Sequence, residues 1–325
     1  MFEMKNSIKK KGILKNILYT FGAQGISMIL SILMSLFLPK VLGIKEYSYW
    51  QLFIFYISYA GFFHLGLNDG MYLKQGGIEY KNLDYRLLNS NLFLITLFQI
   101  LITVIGCITL RFLDLPDQNR IFVIICTMLY MVIYNYSGYL SYILQIANRI
   151  KEYSISVIIE KVIFIAVVIL GIITNNEIFS LYIILNICAK LCSLIYSAIK
   201  CKEVVLAKLS FKKNVLEDFI DNIRVGINIT VSSVAGMLIL GIGRSLIDTK
   251  WGVETFGKFS LAISLSNFML QFISQVSLVL FPVLKRTDEK KVVIYYQTIK
   301  NILSFFLLGI LLGYMPIYLF LQKWT

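Results

Sequence analysis

Charge-poor runs of 22 to 28 residues recur along this chain, separated by short polar and mostly basic stretches. No charge follows Lys15 until Lys40, and further runs occupy 47–68, 87–110, 121–148, 153–176, 178–199, 225–247, 259–284 and 301–322. A helix needs about 20 apolar residues to cross a hydrocarbon core. The pattern therefore predicts an all-α integral membrane protein with nine transmembrane helices. The basic start is not a cleaved leader, because the run behind it is too long and lacks a small-residue cleavage site.

The polar stretches set an orientation. With the N-terminus cytoplasmic, the inner segments hold 22 Lys and Arg residues and the outer ones seven, with Lys190 and Arg244 set aside inside helices. Such an asymmetry predicts the N-terminus inside. The outer loops are too short for an extracellular domain.

The chain also repeats itself. Gly43-Ile44-Lys45-Glu46-Tyr47 returns 209 positions later as Gly252-Val253-Glu254-Thr255-Phe256, each copy lying between a first and a second apolar run. Even spacing of helices makes the repeat parallel, with its axis along the membrane normal. The expected organisation is an N-terminal lobe of six helices over 1–199 and a basic amphipathic linker over 200–224. A partial C-terminal lobe of three helices follows over 225–325. A full second lobe would run to about residue 408, so the expectation is that three helices are missing.

Composition narrows the class. Of 325 residues 58% are hydrophobic and 15% charged, with a mean hydropathy of +0.76; soluble domains carry about 25% charge. The net charge of +13 would suit nucleic acid, but the basic residues lie between apolar runs rather than along one face. They suit anionic lipid headgroups at the cytoplasmic surface better. The five cysteines have no metal-ligand spacing and read as small apolar residues, so neither metal nor cofactor is expected. One histidine, no acidic pair at hydrolase spacing and no phosphate-cradling glycine loop argue against an enzyme.

Four stretches carry a resemblance: LPKVLGIKEYSYWQL (38–52), GLNDGMYLKQG (66–76), SLIDTKWGVETFGKFSLA (245–262) and LVLFPVLKR (278–286). They resemble polysaccharide flippases of the multidrug/oligosaccharidyl-lipid/polysaccharide exporter superfamily over essentially the whole chain, helices ten to twelve excepted. The resemblance implies a two-lobed bundle around a central cavity, working by alternating access. Its cargo would be an undecaprenyl-diphosphate-linked repeat unit for O-antigen, capsule or exopolysaccharide. The setting would be a bacterial cytoplasmic membrane, and the protein a monomer.

Polar positions inside the helices are the candidates for transport. Thr20, Gln24, Ser27, Ser31 and Ser35 share one face of helix one; Asn228, Ser232 and Gly236 line helix seven. Ser260, Ser264, Asn267, Gln271 and Ser274 line helix eight. Small residues also serve close helix packing, whereas Gln24, Asn267 and Gln271 are bulky enough to favour a wet cavity. Charged groups in the membrane are costly unless paired or hydrated. Lys190, near the middle of helix six with no carboxylate on its own helix, is expected to face water or a diphosphate. Arg244 either pairs with Asp248 four residues on or grips that diphosphate. Glu160, beside Lys161, is an interfacial ion pair or a coupling site, and His64 near Asn68 and Asp69 is structural or pH-sensing.

Competing readings keep the fold and change the task. A drug or organic-cation exporter would want buried carboxylates, whereas the clearest in-helix charges here are basic. A polysaccharide polymerase or ligase would need a large outer loop. An inactive remnant remains open because of the missing helices.

Overall fold

The computed structural model describes residues 37–112, 116–174, 176–210 and 212–285, with isolated helical positions at 22, 25, 296, 297, 300, 301, 304 and 308. The described residues form helices and connecting turns, with no strand among them. In order these are α1 (37–58), a 3-10 turn (Ala60–His64), α2 (Leu67–Gln75) and α3 (Tyr85–Phe112). Then follow α4 (Gln118–Ile146), α5 (Ile150–Ile173), α6 (Phe179–Lys200), the single turn α7 (Lys202–Val205) and α8 (Lys213–Lys285). Among the described residues, five stretches are long and apolar enough to cross a membrane, or six if the bent α1–α2 pair is one span. Of the nine predicted helices, the first and ninth lie largely outside the described residues.

Helix α3 shows how the pattern becomes packing. Leu88, Leu92, Ile95, Gln99 and Thr103, spaced three or four apart, are buried, while Leu101, Ile105, Ile108 and Phe112 on the other side are exposed. The polar pair points inward and the apolar stripe outward, as lipid in place of water requires.

The predicted second helix is broken. Leu65 (φ +54°) and Gly66 (φ +83°) turn the chain by 52° between residues 37–64 and 67–75. A break strips carbonyls of their helical donors, and in a membrane something must replace them. Asn135 of α4 donates to the Ala60 carbonyl (2.8 Å), and Gln99 of α3 donates to that of Phe63 (3.1 Å).

Helix α8 is two limbs. Gly252 (φ +82°, ψ 173°) interrupts it, and Arg244 Nη2 donates to Ser260 Oγ at 2.9 Å. Sixteen residues of straight helix would span about 24 Å, so the chain reverses at Gly252. Gly43, 209 positions earlier, also has a positive φ (+69°). The two second-helix starts meet at matching positions too: a Cβ on Gly257 would lie 2.0 Å from Ser48 Oγ, and 48 and 257 are again 209 apart.

The first limb of α8 runs antiparallel along the whole bent helix. Phe55 and Tyr59 face Arg244 and Gly241; past the bend, Gly66 and Gly70 face Gly226 and Asn222, and Lys74 faces Asp218. Of the 200–224 linker, residues 213–224 are the opening turns of α8, tied to α2 by Lys74 between Asp218 (3.2 Å) and Asp221 (2.8 Å).

The inner seam is a backbone contact. A Cβ on Gly226 would lie 2.0 Å from the Gly66 carbonyl oxygen and 2.5 Å from the Gly70 nitrogen. Backbone cannot swing aside as a side chain can, and overpacking of this kind costs about 1–3 kcal/mol. Gly226→Ala is therefore expected to lower the thermal midpoint of the purified protein. Gly243→Ala, with nothing within 4 Å of its Cβ, should not. Equal effects in the two variants would contradict the seam.

Candidate functional site

Two buried charge clusters and one uncompensated cation emerge where the sequence placed single candidates. The first cluster joins α5 and α6. Glu160 is the eleventh residue of α5 and Lys190 the twelfth of α6, so both sit near mid-helix. Lys190 Nζ reaches Glu160 Oε2 at 2.8 Å, and Lys161 Nζ takes Oε1 at 3.0 Å. Lys190 also lies 5.1 Å from the centroid of the Tyr134 ring. Beside this, Ser193 Oγ donates to the Ser156 carbonyl (2.9 Å) and holds the two helices in register. The carboxylate that Lys190 lacks along its own helix comes from the neighbouring one, at a matching mid-helix position.

The second cluster joins the first turn of α4 to the stretch of α8 just before Gly252. Asp248 does not pair with Arg244 on its own helix. Its carboxylate takes both Nη atoms of Arg120, at 2.5 and 2.7 Å, in the two-pronged arrangement that suits a guanidinium. Arg120 is set for this by Asp117, which caps the start of α4 by accepting from the Arg120 backbone N–H.

Arg244 is thereby left without an acidic partner among the described residues. Its guanidinium carbon sits 4.6 Å from the Phe55 ring centroid and 5.1 Å from that of Phe256, between α1 and the second limb of α8. Aromatic faces attract a cation without neutralising it. One Nη bonds Ser260, and the buried Nε has no hydrogen-bond partner among the described residues. A guanidinium held this way keeps donors for an anion.

His64 and Asp69 meet at the bend. His64 Nε2 stands 4.0 Å from Asp69 Oδ2, which accepts from Thr230 of α8 (3.1 Å), while Oδ1 accepts from Tyr142 of α4 (3.0 Å).

The remaining candidates are dispersed. Ser232 bonds the Asn228 carbonyl within its own helix and is exposed, as is Asn267. Gln24 and the side chain of Gln271 lie outside the described residues. Cys126 and Cys201 are buried, and burial pushes the Cys201 thiol up to about 12. Cys107, Cys188 and Cys192 are exposed instead, on faces that suit lipid. Arg120, Thr230 and the aromatic pair Phe55 and Phe256 escaped the sequence reading. Asp117, directly after Pro116, is a capping signal that could have put Arg120 in the first turn of a helix, but nothing linear points to Asp248.

No group of three or more His, Cys, Asp or Glu side chains among the described residues could hold a metal ion. No curated protein and no solved structure matches the chain. A family described as polysaccharide biosynthesis proteins, whose members are transporters of the flippase type rather than enzymes, matches residues 13–288. The apolar helices, the seam with its free cation and this match over most of the chain agree: it is a multi-pass membrane protein of the polysaccharide biosynthesis protein family.

Proposed function

We propose that the protein translocates a lipid-linked oligosaccharide repeat unit by alternating access between the two faces of a bacterial cytoplasmic membrane. The N-terminus lies inside, and the basic cytoplasmic segments rest on anionic lipid. The observation that carries this reading is Arg244, a half-buried guanidinium between two helices with aromatic faces around it and no carboxylate opposite among the described residues. The cargo's diphosphate is the group such a cation suits. The two lobes expected from the repeat would then be 1–199 and the segment beginning at α8, with Arg244 on their shared surface. Lys190, neutralised by Glu160, acts in holding the bundle rather than the cargo.

An organic-cation exporter fits less well. The buried carboxylates Glu160, Asp248 and Asp69 each already accept from a neighbouring donor. The charge left over in the seam is positive.

A charge-assisted hydrogen bond contributes about 1.5–3 kcal/mol, or roughly 10- to 100-fold in binding. Arg244→Ala is therefore expected to cut glycan export by at least tenfold at unchanged protein level, in a strain deleted for its own flippase. Arg244→Lys should retain part of it, since it keeps the charge and loses the fork. Normal export by Arg244→Ala would sink the assignment.

A further inference from the structure

We propose that His64 and Asp69 form a proton-binding site at the bend of helix two, and that taking up a proton there loosens the inner seam against α8. The inference rests on the proposed transport reading only in giving the motion a purpose; the site itself stands on geometry.

His64 Nδ1 accepts the backbone N–H of Gly66 at 3.0 Å. That bond fixes the neutral tautomer: Nδ1 carries the lone pair and Nε2 the hydrogen. Nε2 in turn faces Asp69 Oδ2 at 4.0 Å. A proton arriving from the cytoplasm can add only at Nδ1. Once it does, two N–H groups face each other and the Gly66 bond is lost. Gly66 is the residue of the bend with φ +83°, and a Cβ there would lie 2.5 Å from the Gly226 carbonyl carbon. The segment unseated is therefore the one in backbone contact with α8.

The second effect falls on one oxygen. Asp69 Oδ2 is shared between Thr230 Oγ1 of α8, at 3.1 Å, and His64 Nε2. An imidazolium draws that carboxylate towards itself with a full charge, against a neutral hydroxyl on the other side. An ion facing an ion attracts more strongly than a hydroxyl dipole facing the same ion, so the carboxylate shifts towards His64 and the Thr230 bond lengthens. Both changes act on the same seam in the same direction.

Imidazole is the side chain whose ordinary titration range falls between pH 5 and 8. Asp69 faces it from α2, and Tyr142 of α4 reaches Asp69 rather than the ring. Gln99 of α3, neutral, binds the Phe63 carbonyl. Lys74, Asp218 and Asp221 lie further down the seam in their own ion pairs.

The chain has a single histidine, which makes the test direct. Protein labelled with 15N-histidine and purified on a tag without histidine gives one imidazole signal in nanodiscs. Its neutral form should show Nε2 protonated. Nitroxides at Leu73→Cys and Leu216→Cys, exposed positions either side of the seam, with the five native cysteines replaced, report its opening by pulsed dipolar spectroscopy. The separated population should rise severalfold between pH 8 and pH 5, with a midpoint matching the imidazole titration. His64→Asn keeps an acceptor for the Gly66 N–H and cannot titrate, and it should stay closed throughout; Asp69→Asn should also lose the response. A wild-type seam indifferent to pH would overturn the proposal, as would a response that survives in His64→Asn or a midpoint away from the imidazole's. None of these readouts depends on glycan export, so their failure leaves the transport reading where it stood.

Discussion

Arg120→Ala is expected to be among the most damaging single substitutions, costing about 3–5 kcal/mol, the range for breaking a buried ion pair by removing one partner. The stranded group would be Asp248, whose side chain is 8% exposed and accepts both prongs of the guanidinium. Removing the other partner should cost less. Asp248→Ala strands Arg120, which is 24% exposed and retains Asp117 at 3.8 Å. Replacing both by leucine should recover most of the loss, because a buried pair exchanged for apolar groups is often neutral. Thermal unfolding of the four purified proteins gives the ordering and the coupling between the sites. Additive effects would mean that the two side chains do not hold each other.

Glu160→Gln should be the second large loss, and larger than Lys190→Ala. The reason is a count of charges around one carboxylate. Glu160 holds Lys161 and Lys190 together near mid-helix, where Lys190 is 12% exposed. Its neutralisation leaves two ammonium groups facing each other without a counter-charge, at a cost of about 3 kcal/mol or more. Lys190→Ala leaves the Glu160–Lys161 pair intact and removes one charge. The double variant Glu160→Gln/Lys190→Met should accumulate better than Glu160→Gln alone. Yield of monodisperse protein from membranes measures all three. If Lys190→Ala proved the more harmful while Glu160→Gln behaved as wild type, the lysine would serve the cargo rather than the bundle.

The helices were legible in the sequence because lipid imposes length and apolarity on each span separately. Boundaries of α3 to α6 fall within three residues of the charge-poor runs. Pairings between helices were not legible. The i,i+4 spacing of Arg244 and Asp248 offered a local pair, and Arg120, 128 positions earlier, outcompeted it with a fork. Lys190 lacked a carboxylate along its own helix, and the one it uses lies 30 positions back on another. Spacing along one helix states which residues share a face; it does not state what that face meets. The repeat shows the same limit from the other side. Gly43 and Gly252 announced matching positions, yet only coordinates show both in the left-handed region. Lysines and acids in 213–224 look like a surface segment until Lys74 is seen between two of those acids.

The bend of helix two also has a schedule. Its carbonyls at Phe63 and Ala60 take their hydrogen bonds from residues 36 and 75 positions further along the chain. At about 5–20 residues per second, a ribosome needs roughly 4–15 s to add the longer of those stretches. Until Asn135 has been made, the Ala60 carbonyl has no protein donor, and a bare carbonyl in hydrocarbon costs several kcal/mol. The segment must therefore wait where water can reach it, within the insertion machinery or at the headgroups, until α4 emerges. Asn135→Leu would leave that wait without an end.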